Sequence, residues 1–325
     1  MPAVSTTRVY GDVLSSTMDA IEKAGEMLNQ VLDGIPLFAK IKERMKTRSG
    51  GSLIRIPLEY GVNATVKSFE HYDQFTMQPT TPFTSALYNW KAVGGVCMIS
   101  GMEMRANNGP EELFDLWAGR YKNLVHSFQS ALNTMFHSDG SGNSSKDLLG
   151  LAAIVKASGT LGGISATDNT WWASPADTVG SFVTYGTAKL RSMWCSVGSN
   201  IPDLQPDLLM SVSTWYNAYE TIIQPYEQFT RTGKASDSSQ IGDVGFRGLA
   251  FKGAEWIWDD ATTAATIYML NTRRLFMVAH KDAMMKMSPK REMDDQDAWA
   301  TKVIHQAELV TDHRRAHGLL NGITA

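Results

Sequence analysis

The spacing of apolar residues divides this chain into segments that predict strands and helices. Apolar side chains alternate with other residues from Leu53 to Tyr60, which predicts a strand. They recur every three or four residues from Pro110 to His137, which predicts an amphipathic helix about 40 Å long. Further helices are predicted over 13–46 (with a break at 33–36), 178–197 and 215–223.

The long predicted helix has residues typical of a helix start and of a helix end, as well as a stripe of apolar residues along one face. Asn107-Asn108-Gly109 supplies a cap, Pro110 suits the first helical position, and Asp139-Gly140-Ser141-Gly142 follows the last turn. The stripe that we expect to face a core consists of Leu113, Leu116, Trp117, Leu124, Phe128, Leu132, Met135 and Phe136.

Strand-like segments are scattered over the chain and do not alternate regularly with helices. They lie at 86–100, 207–213, 248–252, 254–258, 266–270, 276–280 and 298–310. This order favours an α+β fold over a parallel α/β fold. Residues 147–175, with four glycines and the pair Trp171-Trp172, are interpreted as a loop-rich crossing between domains.

Residues 61–85 lose all periodicity between two predicted strands. They contain Pro79 and Pro82, and the aromatic residues in the segment are Phe69, Tyr72, Phe75 and Phe83. A stretch of that length without a regular element is unusual inside a compact domain. We therefore predict an extended hairpin that reaches away from the body and packs on a neighbouring subunit.

Composition narrows the function classes. The 325 residues suggest two domains, and a charged fraction of 19% with a net charge of −3 suggests large contacts with other chains. The near-neutral balance argues against sequence-independent nucleic-acid binding and against an anionic-membrane partner. Five basic residues lie at alternate positions from Lys40 to Arg48, either on a solvated surface or, alternatively, in an inward-facing contact with nucleic acid.

The candidate chemical residues have simpler interpretations. Cys97 and Cys195 are expected to be reduced, buried thiols of a cytosolic protein.

His313 and His317 have ligand-like spacing, but Arg314 and Arg315 between them disfavour a metal, so a polar surface or interface segment is preferred. The acidic pairs Asp259-Asp260 and Asp294-Asp295 are expected to be solvated loop residues, and Trp171-Trp172 is expected to pin a loop rather than stack on a base or sugar.

Motifs of catalysis are missing from the sequence. It has no GxSxG, no HExxH and no GxGxxG, and Gly233-Lys234 is followed by Ala235 where a phosphate-binding loop needs Ser or Thr. The first residues have no cationic start followed by an apolar block, so no secretion signal is expected. We therefore predict no catalytic, cofactor-binding or metal-binding residues.

Four segments resemble one family, the major capsid proteins of tailed bacteriophages with the Hong Kong 97-type fold. They are residues 147–174 (DLLGLAAIVKASGTLGGISATDNTWWAS), 206–229 (beginning PDLLMSVSTWYNAYE), 242–285 (beginning GDVGFRGLAFKGAEWIW) and 295–324 (beginning DQDAWATKVIHQAELVTDHRRAHG). The resemblance follows the family's order along the C-terminal half.

The resemblance implies a division of the chain. It implies an N-terminal arm (1–50), an extended E-loop hairpin with flanking strands (51–104), a peripheral domain with a long spine helix (105–170), an axial domain (171–290) and a return strand to the peripheral domain (291–325). The E-loop begins too early for a long N-terminal scaffolding segment, so a separate scaffolding protein, or none, is implied. Lys67 lies in the E-loop, but no motif identifies a crosslinking partner for it.

The resemblance also implies a function. The implied protein is a coat protein, which is not an enzyme and has no cofactor. Copies of it self-assemble into the hexamers and pentamers of an icosahedral shell around phage DNA. Implied partners are copies of itself, a portal, scaffolding or decoration proteins, and packaged DNA through non-specific contacts, with no membrane. Its place is the virion after assembly in the host cytoplasm. The alternatives are an encapsulin-like compartment shell, a minor virion protein or binding module, and a hydrolase whose Ser, His and Asp converge only in the fold.

Overall fold

Two compact units are formed by interleaved stretches of the chain. The computed structural model describes residues 35–41, 44–61, 63, 65–74, 81–106, 116–224 and 249–324. Within these, the first unit takes its residues from 1–52, 89–150 and 277–309, and the second from 53–88, 151–276 and 310–325. The described right-handed α-helices are α1 Pro36–Ile41, α2 Gly101–Ala106, α3 Leu116–His137, α4 Leu151–Ile154, α5 Phe182–Ser196 and α6 Ser213–Ile223, and Gly142–Ser145 form one short turn with left-handed backbone at Asn143 and Ser144. None of them is long and apolar enough to cross a bilayer.

Strands make up much of both units, as an α+β fold requires. In chain order they are β1 Lys46–Arg48, β2 Leu53–Glu59, β3 Phe83–Asn89, β4 Lys91–Ser100, β5 Thr160–Leu161, β6 Ile164–Ser165, β7 Ala176–Ser181, β8 Leu208–Ser211, β9 Leu249–Phe251, β10 Ala254–Trp258, β11 Ile267–Leu270, β12 Leu275–His280, β13 Lys286–Met287, β14 Arg291–Met293, β15 Gln296–Thr311 and β16 Gly318–Thr324.

The first unit packs a helix on a sheet. Its sheet has the order β1-β12-β15-β13, with β14 and β4 also paired to β15. Strand β4 runs antiparallel to β15 over ten residue pairs, from Lys91 opposite Ala307 to Ser100 opposite Ala298. Gly95 of β4 lies against α3, where an added Cβ would come 2.7 Å from Leu124 Cδ1. The sheet therefore meets the helix closely at this glycine.

The predicted stripe of the long helix is confirmed as the buried face of α3 for Trp117, Phe128, Leu132 and Phe136, whereas Leu124 and Met135 are half-buried and Leu113 lies outside the described residues. The apolar side chains on this face that are at most 7% exposed are Trp117, Val125, Phe128, Leu132 and Phe136. Phe136 stacks on Phe38 of α1 with ring centroids 6.2 Å apart. The helix ends at His137, as the following Asp-Gly-Ser-Gly sequence predicted, whereas its predicted beginning at 107–115 lies outside the described residues.

A six-stranded mixed sheet forms the second unit, in the order β7-β16-β11-β8-β10-β9. Strands β8 and β11 are buried at every position. Helices α5 and α6 contribute Phe182, Leu190 and Trp215 to the apolar core beside this sheet. The predicted helix at 215–223 and the predicted strands of this region are confirmed within a few residues.

Two predicted helices are partly strands. The helix predicted over 178–197 begins only at Phe182, because 176–181 pair in parallel with β16, from Ala176 opposite Leu319 to Ser181 opposite Thr324. The helix predicted to extend to Lys46 ends at Ile41, and Lys46–Arg48 pair in parallel with β12. In both places pairing with a distant strand overrides the local apolar pattern. The predicted helix over 13–34 lies outside the described residues.

Candidate assembly surfaces

The hairpin predicted from the aperiodic segment exists, and its strands are anchored in the second unit. Strand β2 pairs with β3, and the inward side chains Ile54, Ile56 and Leu58 are at most 4% exposed. On β3, Tyr88 is buried and its hydroxyl donates a hydrogen bond to the Thr311 carbonyl at 3.1 Å. Strand β3 begins at Phe83, inside the segment predicted to be irregular. The strands therefore belong to their own subunit's core.

Aromatic stacking and backbone hydrogen bonds hold the hairpin where strand β2 ends. The Tyr60 ring stacks on Trp171 with centroids 5.1 Å apart and planes 19° apart. The backbone N–H groups of Tyr60 and Gly61 both donate to the Pro82 carbonyl, at 2.9 and 3.3 Å. Further along β3, the N–H of Leu87 donates to the Gly162 carbonyl at 2.8 Å. We call residues 158–172, which supply Gly162 and Trp171, the shoulder.

The buried side chain of Trp172 holds the shoulder in place. The Trp172 side chain is 1% exposed, and its Nε1–H donates to the Leu161 carbonyl at 3.0 Å. The interpretation of the tryptophan pair as a pin for a loop is confirmed for Trp172. Its neighbour Trp171 is half-buried and, with Tyr60, borders an open pocket of about 370 Å³.

A buried arginine ties the shoulder to the end of the chain. Arg314 is 1% exposed, and burial lowers the pKa of its guanidinium. Its N–H groups donate to four backbone carbonyls, those of Ala153, Ile154, Ser158 and Gly159, at 2.7 to 3.5 Å. Since a planar guanidinium offers five donors in a fixed fork, this side chain determines the path of the surrounding backbone.

The tip of the hairpin, residues 65–74, presents apolar side chains to solvent. Val66 is 82% exposed, Phe69 64% and Tyr72 99%. Short polar contacts shape the backbone: the Asn63 carboxamide oxygen accepts from the N–H and hydroxyl of Thr65, and the Asp73 carboxylate accepts from the N–H of Glu70. An apolar cluster in this position is typical of a surface that is covered by another molecule.

A second apolar surface lies on the first unit, between β4 and α3. An open groove of about 680 Å³ is lined by Val96, Met98, Leu124, Arg120 and Asn123, among others. Val96 is 62% exposed and Met98 41%, although both are in the middle of a strand. The Arg120 guanidinium donates to the Met98 carbonyl at 2.7 Å and pairs with Glu103 at 2.6 Å, which fixes the polar rim of the groove.

The histidine segment at 313–317 is not the polar surface that the sequence suggested. Residues Arg314–Ala316 form one 3-10 turn, so His313 and His317 do not have the face-sharing geometry of an α-helix. His317 is fully buried; its Nε2 lies 3.1 Å from the Thr311 hydroxyl, and its Nδ1 accepts from the N–H of Asn271 at 3.3 Å. Burial lowers the pKa of His317 to about 3. Across the described ranges, no three His, Cys, Asp or Glu side chains are grouped as metal ligands.

Other predicted environments are corrected at single residues. Cys97 is buried as expected, but Cys195 is exposed on the outer side of α5. Asp259 is buried and accepts from the N–H of Ala261, because it begins a turn rather than lying in a solvated loop. Asp294 and Asp295 are exposed, as predicted. The Gly233-Lys234 segment lies outside the described residues.

The basic stretch from Lys40 to Arg48 crosses two elements. Lys40 is in α1, Arg44 follows it, and Lys46 and Arg48 are in β1, while Lys42 lies outside the described residues. Lys40, Arg44 and Lys46 are exposed. Exposure fits both predicted alternatives, a solvated surface and a contact with nucleic acid.

Comparison with solved structures identifies the fold of the chain. No protein-family model and no curated protein matches the chain by sequence. The capsid asymmetric unit of cyanophage A-1(L) superposes with a TM-score of 0.63 at 12% identity, over 90% of this chain and 93% of that chain. The procapsid of satellite phage P4 with its size determination protein gives a TM-score of 0.54 at 11% identity, over 98% of both chains.

An encapsulin complex gives a comparable likeness. The holo-SrpI encapsulin complex of Synechococcus elongatus PCC 7942 matches with a TM-score of 0.54 at 10% identity, over 87% of each chain. At such identities structural likeness establishes architecture and leaves function to be argued from surfaces. The chain has the Hong Kong 97-type capsid fold that its sequence resembles.

Proposed function

We propose that this chain is the major capsid protein of a tailed bacteriophage, a structural subunit and not an enzyme. The observation that carries the proposal is the hairpin tip, a cluster of exposed apolar side chains on a chain with a capsid fold. Copies of the chain form hexamers and pentamers of an icosahedral shell around DNA. The subunit is located in the virion after assembly in the host cytoplasm.

The domain division proposed for this shell follows the sequence. The arm is 1–50, the E-loop 51–104, the peripheral domain with the spine helix 105–170, the axial domain 171–290 and the return strand 291–325. In these terms the hairpin tip belongs to the E-loop and α3 is the described part of the spine helix. A portal, a separate scaffolding protein or a decoration protein, and packaged DNA held by non-specific contacts complete the set of proposed partners.

We place the tip of one subunit in the groove of another. The tip offers Val66, Phe69 and Tyr72, and the strand that borders the groove between β4 and α3 carries the exposed residues Val96 and Met98. Burying these side chains would remove exposed apolar surface of the hairpin from water, at about 25 cal/mol per Å². Contacts of this kind, repeated around a ring, would hold a capsomer together.

A crosslinking experiment tests this contact. A photoreactive phenylalanine analogue at Tyr72 should crosslink to another copy of the chain, and peptide mapping should place the adduct at 96–98 or 120–127. The same analogue at Tyr185, which is 55% exposed on α5, is the matched control and should give a different adduct. Adducts from position 72 that map elsewhere would reject the groove as the docking surface.

Assembly itself is tested with the purified chain. We expect electron microscopy and sedimentation to show capsomers or closed shells, with or without a co-expressed scaffold. A chain that stays monomeric at high concentration in every buffer would contradict the proposal.

An encapsulin-like compartment is the second candidate, because the encapsulin complex shares the fold. Particles isolated from the natural source separate the two candidates. Nuclease-resistant double-stranded DNA inside tailed particles supports the capsid, whereas protein cargo inside tailless shells supports the compartment. A hydrolase would be supported only by turnover of a substrate that single Ser, His or Asp substitutions abolish.

A further inference from the structure

We propose that Trp171 is a positioning residue that fixes the direction of the hairpin before a neighbouring subunit binds. The inference rests on the proposed function, since it concerns the hairpin that we assign to assembly. A two-stranded hairpin in water is marginally stable by itself, so its direction must be set by contacts at its base. The structure concentrates such contacts on the shoulder.

The Tyr60–Trp171 stack lies at the exit of the hairpin. Tyr60 is the first residue after β2, and Trp171 belongs to the shoulder of the same unit. The ring planes are nearly parallel, 19° apart, with a centroid distance of 5.1 Å. Offset-stacked aromatic pairs contribute beyond the area that they bury and constrain orientation. Rotation of the hairpin about its base would separate these rings.

A backbone contact holds the opposite strand. Leu87 of β3 donates to the Gly162 carbonyl at 2.8 Å, and Gly162 has a φ of +61°. A Cβ at position 162 would lie 2.7 Å from Ala86 Cβ, so this approach requires glycine. These two contacts, one aromatic and one polar, add to the buried side chains that anchor the strands, and the aromatic one lies where β2 ends and the chain continues towards the tip.

The shoulder can serve as a reference because it is rigidly supported. Trp172 is buried and bonded to the Leu161 carbonyl, and Arg314 binds the carbonyls of Ser158 and Gly159. Trp171, by contrast, is half-buried and borders the open pocket. Its side chain is therefore less buried than that of Trp172, and among the described residues its aromatic contacts are with Tyr60 and Trp172.

The consequence is preorganisation. A hairpin that samples many directions must lose that freedom when it docks, and the lost entropy weakens docking. With the stack in place, the exposed tip is presented in one direction to the next subunit. Loss of the stack should therefore broaden the positions of the tip and slow assembly, while the second unit stays folded.

Distance measurements between two spin labels test the proposal. One label is attached to the native exposed thiol of Cys195 and the other to Tyr72→Cys, and both positions lie in the second unit. The Cys97→Ala substitution removes the remaining native thiol. The labelled chain is measured at a concentration below that at which capsomers form, so that neither docking of the tip nor distances between subunits contribute. We expect Trp171→Ala to broaden the distance distribution about twofold and Trp171→Phe to restore it.

Two further variants keep the result interpretable. Tyr60→Leu removes the hairpin side of the stack at a 45%-exposed residue, so it should broaden the distribution even if Trp171→Ala fails to fold. Tyr185→Ala, an exposed aromatic residue on α5, is the matched control and should leave the distribution unchanged. Unchanged distributions in both stack variants would overturn the proposal. Because the distances need no shell, that outcome is distinct from a failure of the chain to assemble.

Discussion

The carboxylate of Glu308 accepts a hydrogen bond at 2.7 Å from the backbone N–H of Leu149, although 159 residues separate the two. The same oxygen accepts from the N–H of Leu309 at 3.1 Å, whereas Oε2 has no hydrogen-bond partner within the described ranges. Burial raises the pKa of Glu308 to about 8, against the smaller lowering by these two N–H groups and by the charge of Lys91. The residue therefore holds a proton at neutral pH.

Glu308→Gln should change how stability depends on pH. The folded protein binds one more proton than the unfolded chain between the ordinary glutamate pKa of 4.5 and about 8, so this residue destabilises the fold as pH rises through that window. The amide has no proton to lose, so we expect the variant to gain up to about 5 kcal/mol relative to the parent between pH 4.5 and pH 8. Urea unfolding at several pH values measures this gain.

The control for this variant is Glu292→Gln on β14, because Glu292 is exposed. Its stability relative to the parent should hardly vary with pH. A Glu308→Gln curve parallel to that of the parent would contradict the assignment of a protonated carboxyl.

The effect of His305 on the pH dependence of stability should be opposite to that of Glu308. His305 lies three residues earlier on the same strand, β15. It is fully buried, and neither ring nitrogen has a hydrogen-bond partner within the described part of the chain. Burial lowers its pKa from 6.5 to about 4. In that window the unfolded chain binds the extra proton, so stability is lost as pH falls from 6.5 to 4, by about 3 kcal/mol. His305→Leu should flatten this acid limb in urea unfolding.

His126→Leu provides the comparison, because His126 is exposed on α3 and should leave the acid limb as it is in the parent. If the His305→Leu protein loses stability on acidification as steeply as the parent does, His305 is not the group that titrates.

Phe128→Asp should unfold the first unit. Phe128 is 4% exposed on the inner face of α3, and an unpaired carboxylate there would cost several kcal/mol, on the order of the total stability of a domain. We expect insoluble protein or a transition lowered by more than about 10 °C. Ser127→Asp, one position away on the exposed side, should be soluble with a nearly unchanged melting temperature. A soluble Phe128→Asp protein with the parent's melting temperature would show that this face is not core.

The sequence predicts the elements whose signals are local. The stripe of α3 and the alternation of β2 appear in the structure because each repeats a single burial environment over many residues. Val125, which is buried but was not assigned to the stripe, shows that a helix buries a wider band than its most regular spacing marks.

Features that depend on contacts between residues far apart in the sequence could not be predicted from local patterns. Residues 178–181 have a helical pattern, but they pair with β16, more than 140 positions later. Arg314 and His317 appear polar, yet the fold supplies four carbonyls to the arginine and a hydroxyl to the histidine. The Tyr60–Trp171 stack joins two residues 111 apart (171 − 60), and no local spacing marks it. Phe69, Tyr72 and Phe83 are exposed, which agrees with their lack of helical or strand periodicity in the sequence.

Removal of the hairpin tip should separate folding from assembly. Replacing residues 65–81 by a short Gly-Ser turn removes Val66, Phe69 and Tyr72 and keeps Pro82, whose carbonyl accepts from the N–H of Tyr60. Since the tip side chains are exposed while β2 and β3 are anchored by Ile54, Ile56 and Tyr88, we expect normal circular dichroism and a melting temperature within a few degrees of the parent. Sedimentation should show subunits or small oligomers in place of shells.

A variant with a full-length hairpin shows whether the side chains or the length matter. Val66→Ser, Phe69→Ser and Tyr72→Ser in one chain keep the backbone of the tip, including the Asn63–Thr65 turn, and remove its apolar surface. We expect this triple variant to lose assembly as the shortened one does, because burial of those side chains would be the driving force for docking. Normal shells from the shortened chain would show that the tip is not an assembly element. If that chain cannot fold, the segment belongs to its own subunit's core.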